Sequence, residues 1–363
     1  MKTRTFEQEN DAYEAWLREQ CEVVEDDLAY KHKRMRKNAF VFLRATYFRW
    51  ARRIEDLCPE LKKTPRVLCV GDLHIENYGT WRDAEGRLVW GVNDFDEAAE
   101  MPYAYDLLRL AVSMRLSPTR AIANRAAAAA ILGGYRSGLE QRRPVLLDEQ
   151  EAWMRPYVAC TDADRAKFWN TVDDYPPALK LPADIRKNLK DSLPTGAQAP
   201  RFLERPRAGG GSLGRPRYVA VAQWCGGDVL REAKALVPSA WDWAHGHGNL
   251  APRFTRLSRG AYRAPDPYLE VKDKFVVRRM APDARKVELG DEGAALSGSL
   301  LRAMGFDLGA LHAADSKQAA ARIAADLGKR PQGWLAEAAA VAAKAVERDY
   351  VDWCETGKKG KRA

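Results

Sequence analysis

The sequence predicts an α+β protein in which a small antiparallel β-rich segment interrupts a mainly helical chain. Three observations predict it. Apolar residues recur at three- and four-residue spacing up to residue 56 and again beyond residue 290. Between residues 201 and 285 the pattern shortens to strand-length runs separated by Gly-rich turns. With 363 residues, 46% of them apolar and 30% charged, the chain has a folded composition and room for two or three subdomains.

The elements follow in order. Residues 11–56 read as helix, through "YEAWLREQCEVVEDDLAYKHKRM" and "FVFLRATYFRWARRIEDL". Two short adjacent strands come next, "RVLCV" at 66–70 and "RLVWGV" at 87–92, with "DAEG" at 83–86 as a hairpin-like turn before the second. Residues 103 to about 140 return to helix, and 145–200 mix helix and loop with several prolines. From 201 there is a strand, a Gly-rich turn, a strand, a Gly-Gly turn, and a third strand or helix start. "YLEVKDKFVVRRMAP" at 268–282 adds two strands, and from 291 the chain is helical again. The organisation is a helical lobe over 1–200, a β-rich lobe over 201–285, and helices over 286–363 that complete the larger lobe.

Composition removes several classes. The longest apolar run, "AAAAAIL" at 126–132, is too short to span a bilayer. The polar N-terminus has no signal-like apolar region. Six scattered cysteines without a C-x-x-C pair read as reduced and mostly buried, so a cytoplasmic protein without membrane is the default. The net charge of +9 suits an anionic ligand without choosing one, and most of the basic residues read as solvated surface. No nucleic-acid-binding module is recognisable. The oligomeric state is not legible.

Two acidic segments stand out, "VGDLHIENYG" at 70–79 and "GVNDFDEAAE" at 91–100, each after an apolar run. Asp72 and Asn77 are five positions apart, and Asp94 ends the second run. An amide and a carboxylate with an open site suit Mg²⁺, which keeps water and phosphate oxygens in its shell. That assigns Asn77 and Asp94 to metal and leaves Asp72 to accept a proton from a hydroxyl. Kinase phosphoryl transfer divides the labour this way, with D-x-x-x-x-N and D-F-G. Here the pieces read D-L-H-I-E-N and D-F-D.

"GGGSLG" at 209–214 supplies a G-x-G-x-x-G pattern with Gly209, Gly211 and Gly214, and Ser212 inside it. A strand-like segment follows it, as a kinase phosphate loop requires, whereas a dinucleotide fingerprint requires a helix. Lys234 is the phosphate lysine of this reading, with Lys272 and Lys286 as alternatives. Glu232 and Glu270 are the available partners for it. His74 reads as a residue satisfying a backbone carbonyl, Asp96 and Glu97 as caps or partners of Arg109, with Asp96 also within reach of a metal, and His312 as packed in its helix. "HGHGN" at 245–249 reads as a loop, because no further ligand follows at metal spacing.

These motifs carry a resemblance. "VGDLHIENYG…GVNDFDEAAEMPYAYDLLRL" looks like the catalytic segment of aminoglycoside-phosphotransferase and choline-kinase-like enzymes, with Asp106 matching the Asp of their P-x-x-D-L helix start. Val70 and Asp96 depart from it, at the residue before Gly-Asp and at the Gly of D-F-G. Over most of its length the chain resembles an uncharacterised bacterial family known as domain of unknown function 2252, which names no activity. Read circularly, the kinase order is restored: "GGGSLG", Lys234, the hinge-like "FVVRRMAP", "LGALHAAD", then the catalytic loop near the N-terminus. The resemblance therefore implies a two-lobed, circularly permuted protein-kinase-like fold. It implies an ATP- and Mg²⁺-dependent phosphotransferase acting on an unknown acceptor. The rivals are an inactive nucleotide-binding module and, further off, a metal-dependent phosphoesterase, whose G-D-x-x-D and G-N-H-[DE] segments the sequence lacks.

Overall fold

The computed structural model describes residues 4–119, 122–246, 248–286 and 298–359. Residues 291–297, where the sequence predicts helix, lie outside them, as do His247 and the last four residues of the basic tail. The protein is α+β, and the three sheets among the described residues are antiparallel. No helix among the described residues is long and apolar enough to cross a membrane.

The helical stretch predicted over 11–56 is four helices: α1 (Phe6–Gln20), α2 (Glu25–Met35), α3 (Ala39–Ala45) and α4 (Tyr47–Leu57). Thr5 and Gln8 form a capping box on α1, and the Asn38 side chain caps Val41 N at the start of α3. Such caps satisfy amides that a helix start leaves free. The apolar spacing continues across the breaks, which is why it reads as one run.

Four strands follow: β1 (Arg66–Cys69), β2 (Tyr78–Arg82), β3 (Leu88–Val92) and β4 (Ala99–Pro102). The two strands expected to be neighbours are not paired. β1 pairs with β4, and β3 pairs with β2 and with β5 (Val145–Leu146). β2, β4 and β5 are too short or too mixed to stand out in the sequence. These pairings place the acidic segments. In the hairpin β2–β3, Tyr78 faces Val92, so the chain just outside it brings Asn77 beside Asn93. In the other pair Cys69 faces Ala99, so residues 70–72 run beside 96–98. Both acidic segments therefore end on the same spot.

Helices α5 (Ala104–Leu116) and α6 (Asn124–Gln141) match the prediction for 103–140. The mixed stretch contains α7 (Arg155–Val158), α8 (Asp162–Asp173) and α9 (Ala183–Ser192). The β-rich segment forms β6 (Gln198–Glu204), β7 (Arg217–Trp224) and β8 (Gly227–Ala235), so the third element is a strand. Two helices absent from the sequence reading, α10 (Ala240–His245) and α11 (Leu250–Ser258), precede β9 (Glu270–Lys272) and β10 (Phe275–Met280). The chain closes with α12 (Gly298–Ala313), α13 (Ala319–Lys329) and α14 (Trp334–Lys359).

The five-stranded sheet has the order β6-β7-β8-β10-β9. Alternation gives it two apolar faces, and each needs a cover. Val172, Phe168 and Trp169 of α8 cover Leu203, Val219, Val221 and Leu230. Ile185 and Leu189 of α9 cover Ala220, Ala233 and Val277. Both helices precede residue 201, in the stretch that the sequence reading groups with the helical lobe. The large core lies elsewhere, among α3–α6, α12–α14 and β1–β4. Its tightest contact is between α6 and α12. A Cβ on Gly134 would stand 1.8 Å from Arg302 O, and one on Gly305 would stand 2.1 Å from Ile131 O, so only glycine permits this approach.

Candidate functional site

The loop after β1 is held from below by a buried carboxylate. Asp106, in the first turn of α5 and 0% exposed, accepts hydrogen bonds from Val70 N (2.7 Å) and Gly71 N (3.0 Å). His312 Nε2 lies 3.2 Å from Asp106 Oδ2, and Tyr135 OH lies 2.7 Å from His312 Nδ1. Cys69, Asp106 and His312 offer ligand atoms within 4.8 Å of one another. The Asp106 oxygens and both His312 nitrogens already have partners, so this cluster is a latch on the loop. Gly71 has φ +91°, and a Cβ there would meet Glu97 O at 2.1 Å. The glycine before Asp72 is thus required twice over.

Asp72 receives two hydrogen bonds on Oδ1 from Arg109, at 3.1 Å from Nε and 2.7 Å from Nη2. Arg109 is 0% exposed, sits on α5 one turn after Asp106, and stacks over Trp50 at 4.9 Å. Burial pushes the Asp72 carboxyl above its usual range, although Arg109 and Arg44 pull the other way. Asp72 Oδ2 lies toward the Gly-rich loop, 3.2 Å from where a Gly211 Cβ would stand. Asn77 donates through Nδ2 to the carbonyls of Asp72 (3.2 Å) and Asp94 (3.4 Å). That tie joins the two acidic segments and frees the amide oxygen. His74 Nδ1 accepts from Glu76 N at 3.2 Å, so it satisfies an amide where a carbonyl was expected. Burial and the nearby Arg44 hold its pKa far below the ordinary value, so the ring is neutral.

Asp94 and Asp96 share Lys234. Its Nζ lies 3.3 Å from Asp94 Oδ1 and 2.7 Å from Asp96 Oδ2. Burial opposes ionisation of Asp94, but Lys234, Arg278 and Lys286 outweigh it and hold that carboxyl well below its usual range. Burial and the Asp94 charge push Asp96 up. Arg215 pairs with Asp96 (3.4 Å) and Glu97 (2.8 Å). The expected pairing of Asp96 and Glu97 with Arg109 is therefore replaced: Arg109 serves Asp72, and Arg215 serves the other two. Neither suggested glutamate partners Lys234. Glu270 pairs with Lys272 at 2.9 Å. Glu232 lies two positions from Lys234 on the same face of β8 and is held by Arg278 (2.6 Å), Arg217 (3.5 Å) and Arg205.

The Gly-rich loop joins β6 to β7 and is gripped by the N-terminal helices. Asp27 accepts from Arg207 N, Val24 N donates to Gly214 O, and Arg34 donates to Gly209 O. Ser212 Oγ accepts from Arg217. Gly209, Gly211 and Ser212 line a cleft together with Asp72, Asn77 and Asp94. Gly214 does not face it; a Cβ there would meet Leu28 at 2.6 Å, so this glycine is a packing requirement against α2. Lys234 is 3% exposed and stands behind Asp94 and Asp96. Lys286, one of the alternatives, lines the cleft and donates to Glu76 O at 3.0 Å.

Sequence reasoning missed Arg44, Arg215 and the arginines around Glu232, and gave Arg109 the wrong carboxylates. One signal was present for Arg109: it follows Asp106 by three, the spacing that puts both on one helix face. Among the cysteines, all six are free, but only Cys58 and Cys69 are buried, and Cys225 is exposed. His245 ends α10, stacks on Trp241 at 4.1 Å and lies 2.9 Å from Ala51 O.

Chemically, the cleft is lined by a half-buried carboxylate with one oxygen toward the loop, by Asn77 and Asp94 with their oxygens, and by a Gly-rich turn. No curated protein and no solved structure matches the chain. Residues 23–167, which carry Asp72, Asn77 and Asp94, match a family described as an uncharacterized protein conserved in bacteria, DUF2252, the family that the motifs resemble.

Proposed function

We propose that the protein is an ATP- and Mg²⁺-dependent phosphotransferase of circularly permuted kinase-like build, acting on a hydroxyl acceptor. One observation carries the reading: Asp72, Asn77 and Asp94 share a single cleft with the Gly209–Ser212 turn, although more than a hundred residues separate the two sets. The succession β6, Gly-rich turn, β7, then Lys234 on β8 follows the kinase arrangement, in which the lysine stands on the third strand. Backbone amides of the turn cradle phosphate oxygens, and the surplus of arginine around Glu232 favours a polyanion. Asn77 and Asp94 have oxygens suited to Mg²⁺, which supplies charge neutralisation at the phosphates when bound. Asp72, oriented through Oδ1 by Arg109, presents Oδ2 to the acceptor hydroxyl. The turn lies close over Asp72, so nucleotide entry requires it to lift.

Purified protein is incubated with α- or γ-labelled ATP and Mg²⁺ over an acceptor panel. The expected outcome is transfer of γ-label. Asp72→Asn keeps Mg·ATP affinity and loses at least about a hundredfold in turnover, roughly 2.7 kcal/mol of barrier. An Asp72→Asn protein that transfers label at the wild-type rate refutes the assignment of the base. The second reading, an inactive nucleotide-binding module, is favoured by the pairing of Lys234 with Asp94 and Asp96 and not with a glutamate. It predicts ATP binding with no label transfer from wild type.

A further inference from the structure

Asp96 lines the cleft and has a buried oxygen without a partner. Its Oδ2 is taken by Lys234 and Arg215. Its Oδ1 is buried and has no hydrogen-bond partner, the residue is 6% exposed, and it lines the cleft. Buried carboxylate oxygens are normally satisfied, so one left over and facing a cleft points to a ligand. An ionised carboxylate oxygen only accepts, so the ligand is a donor or a cation, and the Asp94 carboxylate beside it favours a cation. A cationic group already occupies part of this place: the Lys234 ammonium bridges Asp94 and Asp96 at 3.3 and 2.7 Å.

The local charges support this. Within ion-pair distance Asp94, Asp96 and Glu97 face Lys234 and Arg215, while Arg278 and Lys286 act on Asp94 from farther off. On the other side of Lys234 the balance is reversed. Arg205, Arg217 and Arg278 surround the single carboxylate of Glu232. Lys234 stands between three carboxylates on one side and three guanidiniums on the other.

We propose that Asp94 and Asp96 form a two-carboxylate divalent-cation site, with Asp96 as a ligand beside Asp94 and Asn77. The Lys234 ammonium holds this place until a polyphosphate draws it toward the arginines. Hard oxygen donors of this kind take Mg²⁺ or Mn²⁺. The identity of the anion rests on the kinase-like reading; the metal site itself does not.

The test uses full-length protein and Mn²⁺ as the probe, with free Mn²⁺ followed by electron paramagnetic resonance, and needs no acceptor or turnover. Wild type, Lys234→Met, Lys234→Gln and each combined with Asp96→Asn are titrated with Mn²⁺ alone, after melting curves establish that they fold. Removing Lys234 tightens Mn²⁺ binding at least tenfold, and adding Asp96→Asn reverses the gain. Wild type gains a similar factor when inorganic tripolyphosphate is present, and Asp96→Asn alone loses it. Unchanged Mn²⁺ affinity on removal of Lys234, or a gain that Asp96→Asn leaves intact, overturns the proposal. Should the Lys234 variants fail to fold, Asp96→Asn with tripolyphosphate decides: a tenfold loss supports the site and no loss overturns it. Absence of label transfer from wild type removes the enzyme reading and leaves these outcomes untouched.

Discussion

Two buried carboxylates organise the cleft, and they are built in opposite ways. Asp106, below the Asp72 loop, accepts from two backbone amides and faces one histidine. Its two backbone donors fix the geometry of the loop. Glu232, in the five-stranded sheet, is also 0% exposed but faces three guanidiniums. Its surroundings fix little backbone and leave a surplus of buried positive charge. The difference teaches what each region is for. The first holds a loop in one shape before any ligand arrives. The second holds more guanidinium than carboxylate, an imbalance that an anion would offset under the proposed function.

The largest expected effects attack those centres directly. Asp106→Ala leaves two buried amides without acceptors and should cost about 3–5 kcal/mol in urea unfolding. Glu232→Gln leaves three guanidiniums without their counter-charge and should cost a similar amount, about 3–5 kcal/mol. The contrast then appears on adding inorganic tripolyphosphate. The melting temperature of Glu232→Gln should rise more than that of wild type, whereas that of Asp106→Ala should rise no more than wild type. Equal responses in both variants would erase the distinction.

Acid separates the two centres further. Burial opposes ionisation of Glu232, but Arg278, Arg205, Arg217 and Lys234 outweigh it and keep its pKa well below the usual carboxylate range. A depressed folded-state pKa contributes stability above the unfolded value of about 4.3, and this is lost as pH falls below it. Wild type should therefore lose more stability than Glu232→Gln between pH 6 and 3, measured by denaturant unfolding. Parallel pH profiles would count against the arginine cluster as the controlling environment.

The smallest effect tests the loop above both centres. A Cβ at Gly211 would stand 2.8 Å from Arg44 O and 3.2 Å from Asp72 Oδ2. Gly211→Val should weaken ATP about tenfold by calorimetry, roughly 1.4 kcal/mol. Gly86, where a Cβ meets nothing within 4 Å, provides the control: Gly86→Ala should leave ATP affinity unchanged.

Local chemistry made part of this legible. The α+β class, the Gly-rich turn between strands and the helices after 298 followed from periodicity and from glycine placement, which are properties of neighbouring residues. Asp72, Asn77 and Asp94 were legible as a set because carboxylates and an amide after apolar runs have few structural uses in common. Gly214 shows where pattern ends: it completes G-x-G-x-x-G in sequence, yet it packs against Leu28. A motif cannot report which way its last residue faces.

The tertiary structure decided the partners. β1 and β3 look like neighbours in sequence, but register with β4 and β2 is what brings residues 70–72 beside 96–98 and Asn77 beside Asn93. Arg109 meets Asp72, and Arg215 takes the carboxylates expected of Arg109, because ion pairing depends on distance across the fold and not along the chain. α8 and α9 cover the sheet because two apolar faces need two covers. The sequence by itself determined which chemical groups are available and which stretches are mainly helical or β-rich. Only packing, through strand register and the burial of Asp106, Glu232 and their partners, decided which of those groups meet.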